Sequence, residues 1–259
     1  HLQIQKVKQG VKKLLFKIKT TIAMIRIFKD IDSISEEVLK ELEELTLRIK
    51  KRTINIAVSG GSTPKKMFEY FTNKFGKALL FQRFDIWWVD ERCVSPDDDE
   101  CNFKWANELW IGPSGINMSN VHRIIGENDP TKEAKRYSDE IVHHVQEFRG
   151  LPQFDLILLG IGDDGHTASI FPDRIDLFSS AKICDVTEHP TKNQKRITLT
   201  GTVINNSTKV IFIVTGKDKA SIIRKTAFAS IKDYPASNVK PEWGELFWFI
   251  DEAATIKKE

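Results

Sequence analysis

The chain has 259 residues, of which 41% are hydrophobic and 29% charged, with 16 Phe and six Trp. That composition supports a large buried core and excludes a disordered or fibrous chain, and the length allows one large domain or two small ones. Thirty-nine Lys and Arg against 36 Asp and Glu leave a net charge of +3, too small to imply a nucleic-acid partner. The longest nearly uncharged apolar stretch, residues 156–162, falls far short of the roughly 20 residues a membrane-spanning helix needs, so no membrane role is expected.

The first segment is basic: Lys6, Lys8, Lys12, Lys13, Lys17 and Lys19 stand among residues 1–19 without one acidic residue. Residues 1–20 are read as a solvated or added basic arm, with contact to a polyanion as the alternative. A secretory signal fits poorly, because no clean apolar stretch follows the lysines. Residues 21–259 are read as one domain, since no Pro/Gly/Ser-rich linker divides them. Cys93, Cys101 and Cys184 are odd in number and form no C-x-x-C pair, which points to free thiols in a reducing, cytoplasmic setting and offers no zinc pattern.

Strand and helix patterns then alternate. Residues 23–28 read as a strand, and Ser33 precedes Glu36 and Glu37 in the manner of a capping box opening a helix to about Arg52. A β-branched run at 53–58 ends in Ser59-Gly60-Gly61-Ser62-Thr63-Pro64, followed by Met67, Phe68 and Phe71 at helical spacing. Residues 84–89 form a second apolar run ending in Asp90-Glu91-Arg92, ahead of a helix near 102–110. A helix over 131–148 precedes 154–159, a run so continuously apolar that a strand buried on both faces is predicted. Residues 209–214 form another such strand, and 246–250 the last. The alternation predicts a single α/β domain, a mostly parallel open sheet with helices on both faces, through right-handed crossovers.

Ligands of such sheets bind beyond the carboxyl ends of the strands. Ser59 to Pro64 has the makings of an anion cradle, with Gly60 and Gly61 letting the backbone approach a ligand and Ser62 and Thr63 adding donors. The same residues also suit an ordinary strand-to-helix turn capped by Ser62 or Thr63. They match neither the P-loop nor the dinucleotide fingerprint. In Asp90-Glu91-Arg92, Arg92 is placed to hold an anion and Asp90 to orient a hydroxyl or water, with a local ion pair as the alternative. Gly160-Ile161-Gly162-Asp163-Asp164-Gly165-His166 carries an imidazole to the sheet's ligand edge, where His166 suits a general base and Asp164 its orienting partner. His1, His122, His143, His144 and His189 lie on a terminus, predicted helices or polar loops and are assigned no role. Arg196 and Lys219 are further basic groups able to complete a phosphate site, or else surface charges.

Together with Thr167-Ala168-Ser169-Ile170-Phe171-Pro172, Arg196 to Thr200, Gly216 to Ala220, Pro235-Ala236-Ser237 and Phe247 to Ala254, these motifs resemble the 6-phosphogluconolactonase family over about residues 23–254. That family is similar in fold to glucosamine-6-phosphate deaminases and, more distantly, to ribose-5-phosphate isomerases. In the deaminases the Asp-Gly-His turn runs on to a catalytic glutamate; here Phe171 stands at that position.

The resemblance implies a modified Rossmann-like fold and hydrolysis of 6-phospho-D-glucono-1,5-lactone to 6-phospho-D-gluconate in the oxidative pentose phosphate pathway. His166 activates water and returns the proton to the leaving ring oxygen, Asp164 orients the imidazole, and Asp90 acts on the sugar. The 6-phosphate rests on Gly60, Gly61, Ser62 and Thr63 with Arg92, Arg196 and Lys219 nearby, and the turn glycines Gly162 and Gly165 supply N–H donors to the oxyanion. No metal and no cofactor is implied, and the functional partner is glucose-6-phosphate dehydrogenase. Ser59, Ser62 and Ser169 lie outside any G-x-S-x-G elbow, which disfavours a covalent route. Two other readings stand beside this one, a hexosamine-phosphate deaminase or isomerase and a non-catalytic sugar-phosphate sensor.

Overall fold

The longest apolar runs of the sequence become the centre of one sheet. A computed structural model describes residues 23–77 and 79–255; the basic arm of residues 1–20 lies outside the described residues. In chain order the elements are β1 (Ala23–Phe28), α1 (Ile31–Arg48), β2 (Ile54–Val58), α2 (Ser62–Phe75), β3 (Phe84–Trp88), β4 (Asp90–Arg92), β5 (Val121–His122), α3 (Pro130–His144), β6 (Glu147–Phe148), β7 (Leu151–Pro152), β8 (Leu156–Leu159), β9 (Cys184–Glu188), β10 (Lys195–Leu199), β11 (Lys209–Val214) and β12 (Glu245–Asp251), with short helical turns between them. Seven strands form the main sheet in the order β1-β12-β11-β8-β2-β3-β5, and every pairing is parallel. All residues of β2, β8 and β11 are buried, which is why these segments show no polar alternation. Phe212 and Trp248, register partners on β11 and β12, stack at 3.9 Å between ring centroids.

Several boundaries differ from the sequence reading for local reasons. Helix α1 begins at Ile31 because Asp30, not Ser33, is its N-cap; the Asp30 carboxylate accepts from both the N–H and the hydroxyl of Ser33. Glu36, read as the other half of a capping box, accepts instead from the Tyr70 hydroxyl. Helix α3 stops at His144, since Glu147–Phe148 pairs with Leu151–Pro152 as a small hairpin. The helix near 102–110 divides into an α-helical piece, Asn102–Ala106, and a π-helical one, Asn107–Ile111.

One layer of structure escaped the sequence reading altogether. Strands β4, β10 and β9 form a separate antiparallel sheet. Asp185, Thr187, Glu188, Lys195, Arg196 and Thr198 interrupt its hydropathy pattern, so no apolar run marks it.

The sheet order creates the crevice. From β2 the chain proceeds outward to β3 and β5, whereas from β8 it proceeds in the opposite direction to β11 and β12. Strands β2 and β8 are adjacent, so the loops leaving their carboxyl ends diverge at a topological switch point, the usual ligand position in such sheets.

Candidate active site

A crevice of about 210 Å³ opens at that switch point. It brings together Gly60, Gly61, Ser62, Thr63, Asp90, Arg92, Gly162, His166, Arg196 and Lys219. Asp164 and Gly165, the two remaining residues singled out from the sequence, do not line it.

The turn after β8 is built around the His166 ring. Gly165 has a φ of +79°, and a Cβ there would also meet the Tyr234 ring at 2.5 Å. Gly162 is required for space: a Cβ would lie 2.1 Å from Nδ1 and Cε1 of His166. The N–H of Gly162 donates to the His166 carbonyl and that of Gly165 to the Gly162 carbonyl, at 2.9 and 3.0 Å. This corrects the expectation that these two N–H groups serve an oxyanion, because both are consumed in holding the turn. Asp164 Oδ1 lies 2.6 Å from His166 Nδ1 and accepts from the His166 N–H at 3.0 Å. Burial pushes the Asp164 carboxyl up, but the hydrogen bond and charge of His166 outweigh it and hold the group below its ordinary value. An ionised carboxylate only accepts, so Nδ1 carries the ring proton and Nε2 is left as the basic nitrogen.

Asp90 is buried, and its Oδ2 accepts from the Ser169 hydroxyl at 2.6 Å. The Ser169 N–H in turn donates to the hydroxyl of Thr198, the register partner of Asp90. Ser169 is wholly buried and does not line the crevice. Glu91 points the other way and ties the following loop to β4 through the N–H groups of Arg92, Asn102 and Phe103. Burial pushes its carboxyl up to about 7. Among the described residues none of Asp90, Glu91 and Arg92 makes an ion pair, which counts against that alternative for the segment. Asn102, unmarked in the sequence reading, donates to the Asp90 carbonyl and packs under Gly60, where a Cβ would fall 1.8 Å from the amide oxygen. The demand for glycine at position 60 thus comes partly from a protein neighbour.

Helix α2 starts on Gly61, whose φ of 112° suits glycine, and no side chain caps it. Neither Ser62 nor Thr63 plays the capping role expected; the Thr63 hydroxyl meets that of Thr215 at 2.8 Å. The N–H groups of an uncapped first turn form an anion site. Two guanidinium groups stand beside it. Arg196 is 5% exposed, burial pushes it below its ordinary value, and it lies over the Phe171 ring at 5.8 Å. The Nε atoms of Arg92 and Arg196 are buried without partners, and neither residue makes an ion pair among the described residues. Lys219 is paired with the exposed Asp163. It is carried by a loop whose Gly216 N–H donates to Asp251.

Phe171 is fully buried against His166, with ring centroids 4.9 Å apart. His189 packs on the same phenyl ring at 5.2 Å, where burial and the Arg196 charge lower its pKa. His122, expected on a helix or loop, is buried in β5, stacked on Trp87 and bonded to Glu140. The three cysteines are free. Among the described residues no helix is long and apolar enough to cross a membrane.

A parallel α/β sheet with an imidazole at its switch point, beside two arginines that make no ion pair among the described residues, has the makings of a site for a small anionic ligand. The family described as glucosamine-6-phosphate isomerases/6-phosphogluconolactonase matches residues 29–248, and the chain belongs to that family. It is 41% identical to a 6-phosphogluconolactonase of Treponema pallidum over 66% of this chain and 71% of that one. It is 35% identical to a 6-phosphogluconolactonase of Haemophilus influenzae over 78% and 86% of the two chains. The solved 6-phosphogluconolactonase of Thermotoga maritima superposes with a TM-score of 0.77 at 28% identity, covering 89% of this chain and all of that one.

Proposed function

We propose that the chain hydrolyses 6-phospho-D-glucono-1,5-lactone to 6-phospho-D-gluconate, as a 6-phosphogluconolactonase of the oxidative pentose phosphate pathway, with His166 as the general base. The observation that carries this reading is the His166 ring, held at Nδ1 by Asp164 and facing a crevice lined by Arg92 and Arg196, neither of which makes an ion pair among the described residues. Nε2 takes a proton from water as its oxygen attacks C1 of the lactone. The C1–O5 bond then breaks, and the proton passes from Nε2 to the departing ring oxygen. The new carboxylic acid ionises, so one lactone and one water give one phosphogluconate and a proton.

The phosphate sits on the first turn of α2, where N–H donors and the helix dipole favour negative charge, with Arg92, Arg196 and Lys219 around it. Asp90, steadied by Ser169, faces the sugar hydroxyls. Phe171 supports a lactonase over a deaminase, because a buried phenyl ring at this position transfers no proton. A sensor needs the anion site alone and has no use for an oriented imidazole. The lactone arises by oxidation of an aldose phosphate, which makes glucose-6-phosphate dehydrogenase the functional partner. A cytoplasmic location accords with three unpaired cysteines.

The test is to generate the lactone in situ with that dehydrogenase and follow its loss with wild type, with His166→Ala and with buffer. Loss above the buffer rate with wild type only is the expected result. Equal loss in all three sinks the lactonase reading, and an active His166→Ala sinks the base.

A further inference from the structure

A hydrogen-bonded relay joins the two arginines through Glu100 and Gln194, neither of which lines the crevice, although Glu100 lines a smaller adjoining cavity with Gly60, Gly61, Ser62 and Arg92. Arg92 Nη1 donates to the main-chain carbonyl of Glu100 at 2.6 Å. The Glu100 carboxylate accepts from the side-chain amide of Gln194, and the amide oxygen of Gln194 accepts from Arg196 Nη2 at 3.1 Å. Arg92 and Arg196 are register partners, so the four residues close a ring. Glu100 comes from the acidic loop after β4 and Gln194 from the turn between β9 and β10, 94 residues apart.

The chemistry of each link fixes its direction. A guanidinium only donates and a carboxylate only accepts, so a side chain joining the two must offer a donor and an acceptor at once, as a primary amide does. Gln194 is also neutral. It anchors Arg196 without cancelling its charge, whereas a carboxylate at that position would form an ion pair and compete with a bound phosphate. Two like charges across a ladder repel and drift apart unless held. The relay holds them together and leaves both Nε atoms unpartnered.

We propose that Glu100 and Gln194 are positioning residues for the Arg92–Arg196 pair, and that through it they set the preference for a phosphorylated over an unphosphorylated lactone. The second half rests on the function proposed above. The first half concerns anion binding alone and is read separately.

The experiment measures the Kd of inorganic phosphate by calorimetry, and kcat and KM on 6-phosphogluconolactone and on glucono-1,5-lactone. The variants are Gln194→Leu, Gln194→Glu, Glu100→Ala, the double Glu100→Ala/Gln194→Leu, and Lys192→Ala. Loss of one hydrogen bond to a charged group predicts phosphate binding about tenfold weaker in Gln194→Leu, with KM for the phosphorylated lactone raised equally. In that variant kcat and the rate on glucono-1,5-lactone stay near wild type. Gln194→Glu keeps the shape of the side chain and binds phosphate more weakly still. The double variant is no worse than either single one, because the residues act in series. Lys192→Ala, which removes only an exposed ion pair to Glu100, behaves as wild type. Unchanged phosphate affinity in folded Gln194→Leu and Gln194→Glu overturns the proposal, as does an equal loss on both lactones. If wild type hydrolyses neither lactone, the functional reading and the selectivity claim fall together, and the phosphate affinities decide the positioning role.

Discussion

Arg92 and Arg196 stand directly opposite each other on β4 and β10, two cations in one register pair with no carboxylate in salt-bridge range among the described residues. Such a pair is unfavourable for folding and favourable for an anion. Removing a buried cation that has no opposite charge beside it also removes the desolvation cost of burying it. Arg196→Met is therefore expected to keep or raise the ligand-free thermal midpoint while raising KM about 10- to 100-fold. Scanning calorimetry with and without phosphate checks it: phosphate raises the midpoint of wild type and leaves that of the variant nearly unmoved. A variant that melts lower without ligand, or keeps its KM, contradicts the account.

Gly162 is tied to catalysis by volume. Its missing Cβ is the space the His166 ring occupies, and Asp164 Oδ1 would lie 2.8 Å from the same atom. Gly162→Ala should displace the imidazole from its carboxylate, lowering kcat by about 100-fold or more, the range general-base catalysis supplies. Its far-ultraviolet circular dichroism should match wild type. Gly160→Ala, two residues earlier on the crevice wall, places its Cβ within 4 Å of no protein atom, so it leaves the His166–Asp164 pair undisturbed and should keep kcat well above that of Gly162→Ala. Similar kcat values for the two variants would refute the steric argument.

Ser169 separates general-base from covalent catalysis. Its hydroxyl serves Asp90, and the residue does not line the crevice. Ser169→Ala leaves a buried carboxylate short of a donor, a loss of about 1–3 kcal/mol in stability. Activity should remain within about tenfold of wild type, far above the loss expected for a deleted nucleophile. Denaturant titration and steady-state kinetics on one preparation give both numbers, and complete inactivation of a folded variant points to acyl-enzyme chemistry.

Glu91 makes stability depend on pH in the direction opposite to most carboxylates. Its folded pKa is raised, to about 7, so the native state holds a proton that the unfolded chain has released. Stability conferred by the protonated form is complete below the unfolded value of 4.5 and declines as pH rises toward 7. The decline amounts to about 3 kcal/mol for a shift of this size. Other groups also titrate in this window, so the quantity to compare is wild type minus Glu91→Gln at pH 5 and pH 7.5. A difference that is flat, or grows more favourable to wild type with pH, would show that the three N–H donors outweigh burial.

The apolar strands and the loops at their ends were legible because their cause is local. Residues 209–214 are apolar throughout since both faces of β11 are covered, and the glycines at 160, 162 and 165 mark a turn whatever surrounds it. The β9–β10 hairpin was not legible, because its mixed polar pattern makes sense only once β4 and α3 lie beside it. The start of α1 was misplaced for a smaller reason: Asp30 and Ser33 are both able to cap, and only backbone geometry chose between them.

For the site, the sequence by itself determined which chemical groups exist and that they follow strands: His166 with a carboxylate two residues before it, Asp90 and Arg92 after an apolar run, and Gly60 and Gly61 before a helix. Tertiary structure alone decided how they are used. Asp90 meets Ser169 across 79 residues, Arg92 meets Arg196 through the register of β4 and β10, and the oxyanion role expected of the Gly162 and Gly165 N–H groups is lost to internal hydrogen bonds. The physical reason is range. Hydropathy and backbone freedom act over a few residues and leave their mark in the local order of the chain. Partner choice, desolvation and the room left by an absent Cβ depend on atoms that only folding brings within 4 Å.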